Sequence, residues 1–332
     1  MDWLYAGLGL VILLLAGDAL VRGAVNLSLR LGIPALIVSL TIVAFGTSAP
    51  ELLISIQAVL DGVPGLALGN VVGSNTANIL LVLGIPAMLF GFNTSQCRTR
   101  KSYLFMIFST FLFIAVSYLG PITWVHGMIL LAALGLVLSD NFLDARADRR
   151  NQKGCNRVCE TDVNIELQDD EIDIDIDLEG VDKDMPWWQI GVFTLLGLVG
   201  LPLGADLLVE GATHIARSYG VDDTVIGLTL VAVGTSLPEL ATTVMAARQK
   251  HADVALGNVI GSNMFNLLAI IGIASFFGDI PVAESMLRFD LWVMLGASLL
   301  IAPIVFMHWN INKTWGLVLT AAYGLYVYVV LT

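Results

Sequence analysis

Long apolar stretches, separated by short polar ones, run through almost the whole sequence. About 20 consecutive apolar residues are needed for a helix to cross the hydrocarbon core of a bilayer. Hydrophobic residues make up 57% of the 332 residues and charged residues only 13%, a balance that excludes an ordinary soluble domain. The sequence therefore predicts an all-α integral membrane protein with room for about ten transmembrane helices.

Hydropathy and its breaks place these ten spans in two groups of five. The first span has no basic segment and no small-residue cleavage site before it, so we expect it to be retained. A polar segment at 143–185 separates the two groups. The predicted spans lie near 3–21, 33–60, 64–90, 102–119 and 123–142, and then near 187–216, 222–248, 252–277, 287–307 and 314–331.

The positions of lysine and arginine orient these spans. Fourteen of the sixteen basic residues fall in the central segment and in loops on its side, and only Arg217 and Arg288 fall on the other side. Cytoplasmic loops are enriched in basic residues. We therefore expect a multi-pass protein of the plasma or inner membrane, with the central segment in the cytoplasm and both termini outside it.

The net charge of −12 comes almost entirely from the central segment. Residues 160–184 contain twelve acidic residues and one basic residue, a charge of −11. The run lacks the turn glycine and ligand order of an EF-hand, which favours a solvated linker over a calcium-sensing element, although its alternating part also suits a short strand. The nearly neutral remainder points to lipid as the surrounding partner, and we expect neither a nucleic acid nor an obligate protein partner.

The three cysteines indicate no cofactor. Cys97, Cys155 and Cys159 fall in segments expected on the cytoplasmic side, where thiols stay reduced. Cys155 and Cys159 lack the second Cys/His pair of a persuasive zinc site. We expect no resident cofactor.

The two halves of the sequence are copies of each other. Residues 17–84 align without a gap with 205–272 at a constant offset of 188, and 28 of these 68 positions are identical. With an odd number of spans per half, the second copy enters the membrane from the opposite side, an arrangement typical of secondary transporters. We therefore divide the chain into a first five-helix repeat at 1–142, an acidic cytoplasmic loop at 143–185 and a second, inverted five-helix repeat at 186–332, with the repeated motifs at about 33–90 and 221–277.

Each copy interrupts an apolar span with the cluster Gly-Thr-Ser-x-Pro-Glu, at 46–51 and 234–239. A carboxylate in mid-membrane costs at least about 2.5–3.5 kcal/mol, so Glu51 and Glu239 each need a cation, a proton or a partner. A duplicated pair disfavours the alternative that the glutamates serve only as structural hydrogen-bond acceptors. The proline interrupts the helix, which we expect to free the carbonyl groups of Ala44, Thr47, Ala232 and Thr235.

These groups are all hard oxygen ligands, and such ligands suit Na⁺ or Ca²⁺. Neither histidine nor cysteine accompanies them, which disfavours a zinc or copper site. An intramembrane hydrolase would need a base for Ser48 or Ser236, and no histidine lies in either motif. The sequence therefore predicts a transporter and not an enzyme.

A second cluster, Gly-Asn-x-x-Gly-Ser-Asn-x-x-Asn, follows at 69–78 and returns at 257–266. Within it, serine and the last asparagine are four residues apart and therefore share one helix face. These pairs are Ser74 with Asn78 and Ser262 with Asn266. The other asparagines (Asn70, Asn75 and their copies) are possible ligands, but we favour hydrogen bonds from them to the broken backbone.

The paired motifs resemble the repeats of the cation/Ca²⁺ exchanger superfamily, most closely its prokaryotic sodium/calcium exchanger branch. The resemblance covers both copies and the five-plus-five layout. It implies a secondary active antiporter that exchanges Na⁺ for Ca²⁺ by alternating access. By this resemblance, Glu51 and Glu239 are ligands shared by both ions, Thr47 and Thr235 add carbonyls for Ca²⁺, Asn78 and Asn266 complete the central shell, and Ala44, Ser48, Ser74, Ala232, Ser236 and Ser262 line flanking Na⁺ sites.

Two features narrow the expected counter-ion. Some relatives carry aspartate where this chain has Asn266, and that aspartate is tied to K⁺ dependence, so we expect transport without K⁺. The Thr-Ser pair of the motif favours Na⁺ over the H⁺ of related Ca²⁺/H⁺ exchangers. A Ca²⁺/H⁺ antiporter of the same fold remains the alternative, and a cation channel is a more distant one.

Asp18 and Asp206 form a further symmetric pair within the first span of each half. Asp18 has Arg22 one helical turn later, whereas Asp206 has Glu210 there, so that ion pair is not duplicated. We expect each aspartate to bond a neighbouring helix end rather than to serve in the cation site.

Overall fold

The structure is a computed structural model that describes residues 2–92, 94, 99–161, 182, 185–220, 232–307 and 309–331. Within these residues the secondary structure is helical, apart from two isolated β-bridges. The bridges join Phe92 to Ile311 and Ile122 to Ile280. The prediction of an all-α protein is confirmed.

We number the helices α1 to α12 in chain order. The first half contains α1 (Asp2–Leu31), α2 (Ala35–Thr47), α3 (Ala49–Leu60), α4 (Pro64–Leu89), α5 (Arg100–Tyr118) and α6 (Trp124–Thr161). The second half contains α7 (Trp187–Ser218), α8 (Ala232–Gly234), α9 (Leu237–Arg248), α10 (Ala252–Ala274), α11 (Met286–Met307) and α12 (Lys313–Leu331).

Seven helices in the described part are long and apolar enough to cross a membrane, or eight when α2 and α3 count as one bent span. The protein is therefore a multi-pass membrane protein. The count of ten spans stays a prediction, because the start of the span expected at 222–248 lies outside the described residues. The acidic run at 162–181, including its possible strand, also lies outside them.

The first motif breaks its span, as the proline predicts. Helix α2 ends at Thr47, α3 begins at Ala49, and the two axes differ in direction by 43°. Ser48 between them has φ −86° and ψ 5°. In the second copy Ser236 has φ −88° and ψ 4° and precedes α9, which carries its proline in the same first turn. Proline is tolerated there because the first turn of a helix has no partner for its N–H groups.

Helices α1 and α7 pack against each other in antiparallel fashion. Gly9 lies against Leu208, and Gly23 lies against Thr194. The copies of these residues at offset 188 make the mirrored contacts, Gly197 with Leu20 and Gly211 with Ala6. Because these copies run in opposite directions and exchange equivalent contacts, the packing has the pseudo-twofold relation of an inverted repeat.

Helices α4 and α10, which follow the two broken motifs, lie at the centre of the bundle. In their most apolar 18-residue windows, 78% of α4 and 100% of α10 is buried, against 22% of α7. Each contains one π-helical turn at the same place in the repeat, at Asn78–Val82 and at Asn266–Ile270. Such turns occur often at functional sites. The repeat therefore places its second motif in the interior and α7 towards lipid.

The central polar segment differs from the prediction at its start. The helix expected to end at 142 continues as α6 to Thr161, so 143–161 is not part of a loop. Charged residues such as those in 144–150 end a membrane span without ending a helix, since arginine and alanine are good helix formers. At the other end, the Arg30 guanidinium donates two hydrogen bonds, of 3.0 and 2.8 Å, to the Met185 carbonyl and holds the chain against α1.

Candidate cation-binding site

The predicted site residues come together where the two broken motifs meet α4 and α10. Both carboxylates, Glu51 and Glu239, are 0% exposed. Each glutamate lies in the first turn of a helix, α3 or α9, where the N-terminal end of the helix dipole favours negative charge. Besides the two glutamates, the buried polar residues of the four motif segments are Thr47, Ser48, Ser74, Asn75, Thr76, Asn78, Ser236, Asn258, Ser262, Asn263 and Asn266.

Hydrogen bonds join the two halves directly at this point. The Ser48 hydroxyl of the first motif donates to Glu239 Oε1 of the second at 3.1 Å. The Thr47 hydroxyl lies 3.5 Å from the Ser262 hydroxyl and 3.3 Å from Asn258 Oδ1. These contacts bridge residues about two hundred positions apart in sequence, so the two copies form one polar centre.

Most of the unpartnered buried polar atoms in the described part belong to this centre. Nine of the twelve lie in the motifs, and eight of those nine are oxygens. None of the ion pairs among the described residues involves Glu51 or Glu239. Because a buried carboxylate oxygen without a donor is costly, such a set of oxygens suits a cation. The eight oxygens are Oε1 and Oε2 of Glu51, Oε2 of Glu239, the hydroxyls of Ser74 and Ser236, and Oδ1 of Asn75, Asn78 and Asn266.

The donor set is rich in neutral oxygens and poor in charge. The described residues contain no group of three or more His, Cys, Asp or Glu side chains suited to a metal ion. A cation here would take two carboxylates, and the rest of its shell would come from hydroxyl, amide and carbonyl oxygens. Na⁺ and Ca²⁺ accept such mixed oxygen shells, whereas zinc and copper prefer nitrogen and sulfur.

Two asparagines brace the glutamates in equivalent ways. Asn70 donates to the Glu51 carbonyl at 3.3 Å, and its copy Asn258 donates to the Glu239 carbonyl at 3.3 Å. Each also bonds the hydroxyl one turn after its glutamate, that of Ser55 or of its copy. The prediction that these asparagines bond the broken backbone is confirmed.

A model of the family described as "Sodium/calcium exchanger protein" matches residues 1–139 and 189–332. The chain belongs to this family of sodium/calcium exchangers. The match leaves out only the central segment between the halves. It agrees with the resemblance that the repeated motifs suggested.

Individual relatives of this exchanger family align over nearly the whole chain. The sodium/calcium exchanger MaX1 of Methanosarcina acetivorans is 34% identical, with 97% of this chain and 96% of that protein covered. The putative antiporter CaxA of Alkalimonas amylolytica is 35% identical over 88% of this chain and 85% of its own length. The solved structure of the exchanger NCX_Mj, soaked with 2.5 mM Na⁺ and 0.1 mM Ca²⁺, is 28% identical and superposes with a TM-score of 0.77, covering 98% of this chain and 96% of that chain.

Of the backbone carbonyls expected to be free in this exchanger, that of Ala44 is not. It accepts the Ser48 N–H at 3.1 Å and the Thr47 hydroxyl at 3.3 Å. Pro50 has no N–H, so the carbonyl that loses its helical donor is that of Gly46. The expectation for Ala44 was wrong because the proline acts four residues before itself and not six. In the second motif, the Thr235 hydroxyl lies 3.5 Å from Asn70 Oδ1, and the side-chain surroundings of Ala232 lie outside the description.

Asp18 lies in a separate polar contact between α1 and the end of α9. Its carboxylate accepts Arg22 Nε at 2.7 Å, a pairing that the sequence spacing allows, and Gln249 Nε2 at 2.8 Å. Gln249 is 2% exposed. Sequence reasoning missed Gln249, although its position one residue after α9 could have suggested a helix-end partner. Asp206, the copy of Asp18, is exposed.

Proposed function

We propose that the protein is a secondary active antiporter that exchanges Na⁺ for Ca²⁺ by alternating access and without K⁺. The observation that carries this proposal is the pair of fully buried glutamates, one from each half, among unpartnered oxygens. A buried carboxylate pair without a basic partner needs compensating positive charge. Membership of the exchanger family and the likeness to MaX1 and NCX_Mj, both named as sodium/calcium exchangers, support the identity of the two ions.

In this proposal, the ions compete for the same oxygens. Glu51 and Glu239 bind either one Ca²⁺ or several Na⁺, and the loaded protein then changes the face to which the site opens. A site empty of both ions leaves two uncompensated carboxylates, which disfavours crossing without cargo. The remaining ligands are Thr47, Thr235, Ser48, Ser236, Ser74, Ser262, Asn78 and Asn266, with the carbonyl of Ala232 at one flank.

The amide of Asn266 supports independence from K⁺. A third carboxylate at this position would add a negative charge to the site, and an amide cannot ionise. The site then holds two formal negative charges, which one Ca²⁺ neutralises. We also propose that the central segment is cytoplasmic and both termini lie outside, on the distribution of basic residues.

The test is flux in vesicles that contain the purified protein. A Na⁺ gradient should drive ⁴⁵Ca²⁺ uptake, and replacement of all K⁺ by choline should leave the rate unchanged. Glu51→Gln and Glu239→Gln should each abolish uptake, because each removes a negative charge that the ion needs. The matched control is Asp61→Asn, the same change at an exposed position after α3, which should transport like the unmodified protein.

The competing function is exchange of Ca²⁺ for H⁺. The relative named only as a putative antiporter, CaxA, keeps this candidate open. A pH gradient imposed without Na⁺ separates the two. Uptake driven by the pH gradient, or activity retained in both glutamine variants, would contradict the proposal of Na⁺/Ca²⁺ exchange through this site.

A further inference from the structure

We infer that Asn75 and Asn263 are positioning residues that turn the side-chain amides of Asn78 and Asn266, so that the oxygen of each amide faces the cation. The inference rests on the proposed function, since it concerns the same site. It assigns a role to two asparagines that bind no carboxylate in this structure. It also explains how a neutral amide can serve as a cation ligand. A carboxylate in its place would need no orientation, because both of its ends are oxygens.

The first observation is the hydrogen bond that fixes Asn78. Its Nδ2 donates to Asn263 Oδ1 at 3.1 Å, from α4 to α10. Its Oδ1 is buried and accepts no hydrogen bond from the described residues. Because one end of the amide is held by Asn263, the other end, which is the oxygen, is the end presented to the polar centre.

The second observation is that Asn75 and Asn263 hold each other. Asn75 Nδ2 donates to the Asn263 carbonyl at 3.1 Å, and Asn263 Nδ2 donates to the Asn75 carbonyl at 3.3 Å. The two residues are copies at offset 188, so this reciprocal pair straddles the pseudo-twofold relation between the halves. Both are 1% exposed. The pair therefore fixes the register of α4 against α10 at the level of the site.

The third observation is that one of two equivalent bonds is missing. The copy of the Asn78–Asn263 bond would run from Asn266 Nδ2 to Asn75 Oδ1. Both of these atoms are buried and unpartnered among the described residues. The donor and the acceptor that the repeat would pair are thus both available. Formation of this bond would turn the Asn266 oxygen towards the ion, as Asn263 already does for Asn78.

This role depends on the chemistry of the amide. An asparagine has one acceptor end and one donor end, and the donor end repels a cation. A carboxylate presents oxygen at both ends, so its orientation needs no such partner. Substitution of the amide by a carboxylate should therefore make the positioning residue dispensable. Residues that orient a metal ligand in this way commonly change affinity about 10–100-fold when they are removed.

The experiment compares Asn263→Ala, Asn78→Asp and the double variant in vesicles and in detergent. Asn263→Ala should raise the Ca²⁺ concentration for half-maximal uptake about tenfold, with the maximal rate nearly unchanged. The double variant should stay within about twofold of Asn78→Asp alone, since the carboxylate removes the need for orientation. Asn141→Ala, which removes an asparagine of similar burial on α6, should leave half-maximal uptake unchanged.

A purely structural role for Asn263 predicts a different pattern. The penalty would persist in the double variant and would appear in the maximal rate, and either result would overturn the inference. If Asn263→Ala does not fold, the equivalent set of Asn75→Ala, Asn266→Asp and their combination decides the question in the same way. The Ca²⁺ dependence of the melting temperature in detergent reports binding without transport, so loss of Na⁺-driven flux in the unmodified protein would contradict the proposed exchange but not this assignment.

Discussion

The two halves have nearly the same motifs but occupy different environments. Near the end of α9, Asp18 accepts hydrogen bonds from Arg22 and from the buried Gln249. The copy of Asp18 is the exposed Asp206, and the copy of Gln249 is Asp61, an exposed acid that Gln57 bonds at 2.8 Å. The equivalent contact in the other half would therefore bring two carboxylates together.

The same asymmetry appears inside the site. Glu239 accepts a hydrogen bond from the Ser48 hydroxyl. Both carboxylate oxygens of Glu51 and the hydroxyl of Ser236 are unpartnered among the described residues. A duplicated sequence therefore does not impose duplicated contacts. Two copies with identical contacts would have one stable arrangement of the helices. Differences of this kind between the copies allow the bundle to have two stable arrangements.

The largest difference that we expect between equivalent positions is at the two motif serines. Ser48→Ala removes a hydrogen bond to a carboxylate, worth about 1.5–3 kcal/mol. It should raise the Ca²⁺ concentration for half-maximal uptake by about tenfold or more. Ser236→Ala removes a hydroxyl that makes no such bond here and should have an effect of about threefold or less. Equal effects of the two variants in the same flux assay would show that the asymmetry is not functional.

Where the halves are equivalent, equivalent substitutions should cost the same. A Cβ at Gly9 would lie 2.5 Å from the Leu208 backbone nitrogen, and one at Gly197 would overlap Leu20. Gly9→Ala and Gly197→Ala should each lower the free energy of unfolding by about 1–3 kcal/mol, because the helices must separate. Thermal unfolding in detergent, followed by tryptophan fluorescence, measures this.

The control for these glycines is Gly7→Ala, since a Cβ at Gly7 has no atom within 4 Å. It should be neutral or stabilising by up to about 1 kcal/mol, from the better helix propensity of alanine. A large loss for only one of Gly9 and Gly197 would contradict the symmetric packing of α1 and α7.

The smallest effect should come from the contact between α1 and the end of α9. Gln249→Ala removes the bond to Asp18 and should lower stability by about 1 kcal/mol. Gln57→Ala removes the exposed bond to Asp61, the copy of Gln249, and should change stability by less than about 0.5 kcal/mol. The same melting measurement checks both variants. A larger loss of stability for Gln57→Ala than for Gln249→Ala would contradict the buried position of Gln249 and the exposed position of Gln57.

Much of this architecture could be predicted because lipid imposes strict rules. Apolar length gave the spans, and the described helices begin and end within a few residues of most of them. The constant offset of 188 identified the repeat, and the breaks followed from Pro50 and Pro238. The motif residues were found because a buried acid in lipid has few explanations.

What could not be predicted depended on contacts between distant residues. The bond from Asn78 to Asn263 joins two copies whose relative rotation no local pattern specifies. The π-helical turns that begin at Asn78 and Asn266 have no propensity signal in the sequence. The length of α6 was missed because hydropathy detects the end of the membrane and not the end of a helix.

The glycine contacts between α1 and α7 have a mechanical consequence. Because backbone packs on backbone at these glycines, few side chains there could rotate independently. The two helices therefore form one rigid unit. At 1.5 Å per residue, the 30 residues of α1 make this unit about 45 Å long, which exceeds the roughly 30 Å thickness of the hydrocarbon core of a bilayer. If this pair of helices tilts about its middle, its two ends move in opposite directions. An approach to the bundle at one membrane surface is then a withdrawal at the other.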